Sequence, residues 1–297
     1  MAHHHHHGHS EPGNGNEGRL LKVLLLTGFF MVVEVVGGVI SGSLALLADA
    51  GHMLTDTAAL GLAYGAFRLS RKPPDDRRTY GYARFQVLAA FVNGVVLFGV
   101  FGWIVYEAFN RIQTGSEVLP VPMLIVAFLG LLVNAIAFKV LHAGSKENLN
   151  IKGALLHVIL DMLGSVGAII AGLVIYFTGW MLIDPILSIG LAILILPSAW
   201  ALVKKTTHIL MEGTPDSFDV EALQKDLVKE IPGLLDVHHI HVWLLTAEQP
   251  LLTMHATVTD LKNSDKTLLA IKKRLHDKHN IGHSTVQVET KACADKH

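Results

Sequence analysis

Six long apolar runs, separated by short turn-like breaks, fill the first two thirds of the chain, and a polar, periodically patterned stretch follows them. A helix that crosses a bilayer needs about 20 mostly apolar residues. The runs Leu20–Ser41, Leu44–Leu69, Val87–Phe109, Val121–Leu141, Ala154–Phe177 and Pro185–Val203 are each predicted to be such a helix. The breaks Ser41-Gly42-Ser43, Gly115–Pro122 and Thr178-Gly179-Trp180 carry turn residues. Glycines inside the runs, such as Gly37, Gly38, Gly164 and Gly167, suit helices that approach closely in lipid.

After Glu212 the period changes. Gly213-Thr214-Pro215 ends the last apolar helix, and Val220, Leu223, Leu227, Val228 and Ile231 then recur at helical spacing. Strand-like runs follow at Val237–Thr246 and Leu251–Thr259, then a helix over Lys266–His279 and a strand over Thr285–Thr290. The order αββαβ predicts a small two-layer α+β domain of about 80 residues. It holds no nucleotide loop and no nucleophile motif, so an enzyme is not expected.

Composition sharpens this picture. The 297 residues are 51% hydrophobic and 16% charged, with mean hydropathy +0.44, whereas a soluble domain carries about a quarter charged residues. The expected class is an α-helical membrane protein of six transmembrane helices with a C-terminal α+β domain. Three segments are expected: a His-rich tail over 1–18, a membrane domain over 19–211 and the α+β domain over 212–297. A net charge of −1 gives no reason to expect nucleic acid. The single cysteine, Cys293, excludes a disulfide within the chain and suits a reducing compartment.

Lys and Arg fix the expected orientation. Arg68, Arg71, Lys72, Arg77, Arg78 and Arg84 cluster around the loop after span two, Lys139, Lys146 and Lys152 around the loop after span four, and Lys204 and Lys205 follow span six. The opposite loops are nearly bare, with Arg111 the main exception, so both termini are expected in the cytosol. The N-terminus carries no secretory signal. Its histidines, His3 to His7 and His9, are either a purification tag or a metal-collecting tail, although His-Gly-His before Ser-Glu-Pro departs from a tag linker.

The candidate chemistry lies in spans two and five. Span two contains His52-x-x-x-Asp56 and span five His157-x-x-x-Asp161. A spacing of four puts each pair on one helix face. Two such helices facing one another would offer two imidazoles and two carboxylates, a complete tetrahedral shell for zinc. A lone pair of this kind could simply hydrogen-bond within its helix, but two matching pairs in two spans favour a cation between them, because buried ionisable groups are costly in lipid. Imidazole with carboxylate suits zinc, cobalt, nickel or cadmium better than manganese or magnesium. No His-Glu-x-x-His is present, so an intramembrane hydrolase lacks its central part. Asp49 either caps its helix or relays protons, and Glu34, Asn93 and Asn134 read at least as readily as helix-packing groups.

Ser43 through His52 and Asp56, the basic stretch Arg77-Arg78-Thr79-Tyr80-Gly81, Asn148-Leu149-Asn150, Asp184-Pro185 and His238-His239-Ile240-His241-Val242-Trp243 together resemble the cation diffusion facilitator family, in its zinc-transporting branch of bacterial zinc, cobalt and cadmium efflux. The resemblance implies a homodimer, a ferredoxin-like cytoplasmic domain and metal efflux in exchange for protons across a bacterial inner membrane. It also implies that His52, Asp56, His157 and Asp161 form the transport site, with His52 favouring zinc. Some relatives hold another zinc ion in the basic loop. Here Asp75 remains, but Arg78 and Tyr82 stand at the other positions, so that site is expected to be absent. A further zinc site in the cytoplasmic domain would fall on His238, His255 and Glu289, with His283 and Cys293 as candidate additions. In a regular strand His238 would share the apolar face of Ile240 and Val242. His142, His208, His276, His279 and His297 are expected to face solvent.

Overall fold

The computed structural model describes residues 14–70, 72–115, 117–142, 149–216, 218–290 and 293. Six helices come first: α1 (Asn14–Ser41), α2 (Leu44–Ser70), α3 (Arg84–Thr114), α4 (Pro120–His142), α5 (Leu149–Thr178) and α6 (Ile183–Leu210). The breaks fall where the sequence puts them. Gly42 turns α1 into α2 at φ 71°, a backbone that side chains with a Cβ rarely adopt. Among the described residues, four helices are long and apolar enough to cross a membrane: α3, α4, Val158–Thr178 within α5, and α6. The described apolar portions of α1 and α2 are Leu25–Ser41 and Leu44–Thr55.

The helices run past the apolar stretches that announced them. α1 starts six residues before the expected Leu20, and α6 continues seven residues beyond Val203. The chain divides into two compact units, Met1–Gly61 with Asn93–Trp200, and Leu62–Val92 with Ala201–His297. In the first unit small residues bring helices together, with Ala45, Ala127, Ala168 and Ala171 buried alongside Phe30, Leu46, Met53 and Met123. Large apolar side chains point outward instead, among them Phe29, Phe128, Phe177 and Trp200. An apolar exterior of this extent calls for lipid rather than water.

Asp184, fully buried at the start of α6, holds the first turn of α2. Ser43 Oγ donates to its Oδ1 at 2.6 Å, the Leu44 N–H to Oδ2 at 2.7 Å and the Ala45 N–H to Oδ1 at 3.2 Å. Orphan N–H groups at a helix start attract a carboxylate, by hydrogen bonding and by the helix dipole. Arg111 lies 3.9 Å from Asp184, pairs with Glu107 at 2.9 Å and donates to the Gly42 carbonyl. These contacts give a structural role to Arg111, the main Lys/Arg exception on that side of the helices.

The second unit carries α7 (Val220–Glu230), β1 (Leu234–Thr246), β2 (Gln249–Val258), α8 (Ser264–His279) and β3 (His283–Glu289). This is the expected αββαβ order. The sheet runs β1-β2-β3, with β1 antiparallel to β2 and β3 parallel to β2. Its core joins Leu223 and Leu227 of α7, Ile271 and Leu275 of α8, and Val237, Val242, Leu252, Met254 and Ala256 of the strands. Asp226 ties the two helices together, accepting from Arg274 at 2.7 and 2.9 Å and lying 3.0 Å from His279. His279 is therefore packed and paired rather than solvent-facing, a correction that follows from its place on the α7 side of α8.

Candidate metal centres

In the membrane-type unit, His52 is half-buried on α2 and Asp161 is 2% exposed on α5. Residues 56 and 157 lie within α2 and α5, and the side chains of Asp56 and His157 fall outside the described residues. The register between the helices comes from a close approach one turn away. A Cβ added to Gly164 of α5 would sit 3.2 Å from Asp49 Oδ1 of α2, so the absence of a side chain there admits the carboxylate. In an antiparallel pair, three residues onward along α2 is His52, and three back along α5 is Asp161. Four more in each direction give residues 56 and 157. Each histidine position is thus level with the aspartate position of the other helix.

The buried polar groups near this layer include Glu34, which the sequence left as readily a packing group, and Asp49, which it left as a helix cap or a proton relay. Glu34, on α1 and 1% exposed, shares a hydrogen bond with Asp49, and both carboxyl groups lie within electrostatic reach of Asp161. Sequence spacing does not reveal this cluster, because it joins three helices whose packing order is not written in any local period.

The second centre is on the outer face of the sheet in the C-terminal domain. Ligand atoms of His238, His255, Glu289 and Cys293 all lie within 4.8 Å of one another. His255 Nδ1 is 3.0 Å from Glu289 Oε1 and 3.3 Å from Cys293 Sγ, and His238 Nε2 is 3.5 Å from Glu289 Oε2. His238 and His255 are cross-strand partners, and Glu289 pairs with Thr257 in the parallel register, so three strand positions converge. An imidazole pair, a carboxylate and a thiol at this spacing are a donor set for a zinc-like ion. Gln287, donating at 2.7 Å, and then the two histidines hold the Glu289 carboxyl below its usual range, which keeps it ready as an anionic ligand.

The structure corrects the expected face of His238. His239 takes φ 49°, and the β1–β2 register shifts between His238 and His241. This bulge reverses the alternation, so Val237 before it and Val242 after it both enter the core while His238 turns to the opposite face. Cys293 joins the cluster, and His283 does not. His283 sits at the far end of β3, opposite Leu251, with its ring 6.0 Å from that of Tyr80. In the basic loop, Asp75 accepts from Tyr82 Oη at 2.6 Å and from the Arg77 and Arg78 N–H groups at 2.9 and 2.7 Å. Its oxygens close a turn rather than facing other ligands.

Comparison with known proteins covers nearly the whole chain. The family profile of the cation efflux transmembrane domain matches residues 20–211, and that of the cation efflux protein cytoplasmic domain matches residues 215–291. The zinc transporter ZitB of Pectobacterium atrosepticum is 49% identical over 100% of this chain and 92% of its own length. The metal cation efflux system protein CzcD of Cupriavidus metallidurans is 42% identical over 96% of this chain and 90% of its own. A cadmium, cobalt and zinc/H(+)-K(+) antiporter of Bacillus velezensis is also 42% identical, over 96% and 92%. With both family domains in order and full-length relatives at this identity, the chain belongs to the cation diffusion facilitator family, in its zinc-transporting branch.

Proposed function

We propose that this protein exports zinc from the cytosol in exchange for protons, through a tetrahedral site of His52, Asp56, His157 and Asp161. The observation that carries this reading is the antiparallel register fixed by Asp49 against Gly164, which levels the His-x-x-x-Asp of α2 with that of α5. Zinc is the cargo. Its ligands must be neutral imidazoles and ionised carboxylates, so loading releases protons and protonation releases the ion. Access alternates from one side to the other around a site near the midplane, as in other secondary transporters. The full names of the relatives, zinc transporter and cadmium, cobalt and zinc antiporter, support both the cargo class and the exchange.

All six of α1 to α6 span the bilayer in this reading, with both termini cytosolic and the protein in a bacterial inner membrane. The C-terminal domain is ferredoxin-like and brings two subunits together as a homodimer. Zinc held by His238, His255, Glu289 and Cys293 would act there in regulation or structure, apart from the transport path. The test is zinc uptake into proteoliposomes. Flux should rise when the trans side is acidified and should prefer zinc to manganese. Flux indifferent to a pH gradient would remove the exchange, and saturable binding without flux would make the protein a zinc sensor or store.

A further inference from the structure

Between the transport ligands and the turn at Gly42 lies a second group of buried oxygens. Glu34 stands two turns before the end of α1, and Asp49 stands one turn closer to that end of the bundle than His52. Glu34 is 1% exposed and Asp49 8%. Their carboxyl groups hydrogen-bond to one another and interact electrostatically with Asp161. Two further observations point to a ligand. Glu34 Oε2 has no hydrogen-bond partner among the described residues. Neither does the carboxamide of Asn134 on α4, which is also 1% exposed. Gly130 of α4 faces Ser165 of α5, where an added Cβ would meet Oγ at 3.1 Å, and Gly172 faces Leu124, so the two helices are antiparallel. Four residues on from Gly130 is Asn134, and four back from Ser165 is Asp161, so the unpartnered carboxamide shares the layer of Asp161.

Packing alone gives no reason to place two carboxyl groups beside a third in an apolar bundle. The hydrogen bond between Glu34 and Asp49 holds one proton, but the remaining charge repels that of Asp161, and an acceptor left unpaired in a low dielectric costs a few kcal/mol. A cation removes both costs. We propose that Glu34 and Asp49 form a second cation site, one helical turn from the transport ligands, which shares Asp161 and receives a divalent metal ion leaving that shell. The donors are all oxygen. Such a shell binds zinc less tightly than one containing imidazole, as suits a post from which the ion must depart. Asp161 belongs to both shells, so the ion can pass between them while keeping one ligand. The outward direction of that step rests on the orientation proposed above, whereas the existence of the site does not.

The test is cobalt(II) binding to the full-length protein in detergent, comparing proteins with and without Glu34→Gln/Asp49→Asn, both in a His238→Ala/His255→Ala background so that the strong band reports the transport shell and not the cluster at Glu289. The N-terminal histidines are common to both, so the difference reports the membrane carboxylates. Tetrahedral cobalt absorbs strongly in the visible, and six-coordinate cobalt, the geometry that carboxylate and water oxygens favour, absorbs weakly. The expected result is one ion fewer per chain in the variant, with the strong band retained and zinc efflux slowed. Equal numbers of ions in the two proteins would overturn the proposal. Loss of the strong band together with the ion would also overturn it, because the carboxylates would then belong to the transport shell itself. Retention of the band shows that the variant is folded, and if the double variant does not fold, Glu34→Gln alone is read in the same way. His157→Ala is measured in parallel. If it leaves the strong band and the flux intact, the transport-shell assignment fails, while the difference between the two proteins still decides the second site.

Discussion

At the scale of single residues the protein turns on donors that would be unaffordable in lipid without a partner. In the proposed site His157→Ala would remove one ligand of four and leave a shell that cannot be completed, so zinc flux in proteoliposomes should fall at least a hundredfold, about 2.7 kcal/mol of lost stabilisation. Flux within a few-fold of wild type would take α5 out of the site. His52→Asp keeps four donors but changes nitrogen to oxygen. Transport should persist, with preference shifted toward harder ions, read as the ratio of zinc to manganese uptake. A ratio unchanged from wild type would mean that His52 does not select the metal. Both His-x-x-x-Asp pairs were legible in the sequence because one helix period writes them locally. The Glu34–Asp49 pair was not, because its two members meet only through the packing of α1 on α2. Cys293 was legible merely as a candidate, since the sequence past β3 carries no period that would bring it back to His255.

At the scale of elements, the apolar runs located α1 to α6 and the glycines located turns between them, but the ends of α1 and α6 lay beyond the runs. Hydropathy marks where lipid stops, while the helix continues as long as backbone hydrogen bonds and side-chain caps sustain it. The Asp184 cap is an example. It satisfies two N–H groups and the Ser43 hydroxyl of α2 from a residue about 140 positions away, which no local pattern reports. Asp184→Ala should cost about 3 kcal/mol, because it leaves those donors and Arg111 without their buried acceptor. It should also lower zinc flux, since α2 carries His52 and Asp56. A thermal melt in detergent that matches wild type would show that α2 is held by packing alone. In the C-terminal domain the period-two reading of β1 failed at a single residue. His239 adopts a left-handed backbone, the strand bulges, and His238 changes faces. The same bulge turns His238 toward His255 and Glu289, so the break in the pattern is what assembles the second centre.

At the scale of the whole molecule, composition separates a lipid-suited helical part from a domain with its own core, and the two carry different candidate donor sets. The C-terminal domain, whose family profile matches residues 215–291, has a closed set of buried apolar side chains among its described residues, so its response to metal can be measured apart from transport on a fragment over 212–297. Free zinc at 100 times its dissociation constant should add about 2.7 kcal/mol, which raises the melting temperature of a domain this size by several degrees. The shift should vanish in a His238→Ala/His255→Ala variant. It should shrink as pH falls below about 6, where imidazoles take up protons in place of metal. Glu289 does not limit binding in that range, because Gln287 and the histidines hold its carboxyl below the usual value and keep it ionised. The zinc-free domain has a separate acid response. Asp226, held far below the normal range chiefly by Arg274 and Lys278, and Glu289 are both depressed in the folded state. Their stabilisation is therefore complete above the ordinary carboxyl values of about 4 and is lost as pH falls further. Melting curves with and without zinc should thus diverge above pH 6, converge between about 4 and 6, and fall together below 4. A zinc shift that persisted at pH 5 would mean that the ion is not held by imidazoles, and the cluster on the sheet face would lose its role as a metal centre.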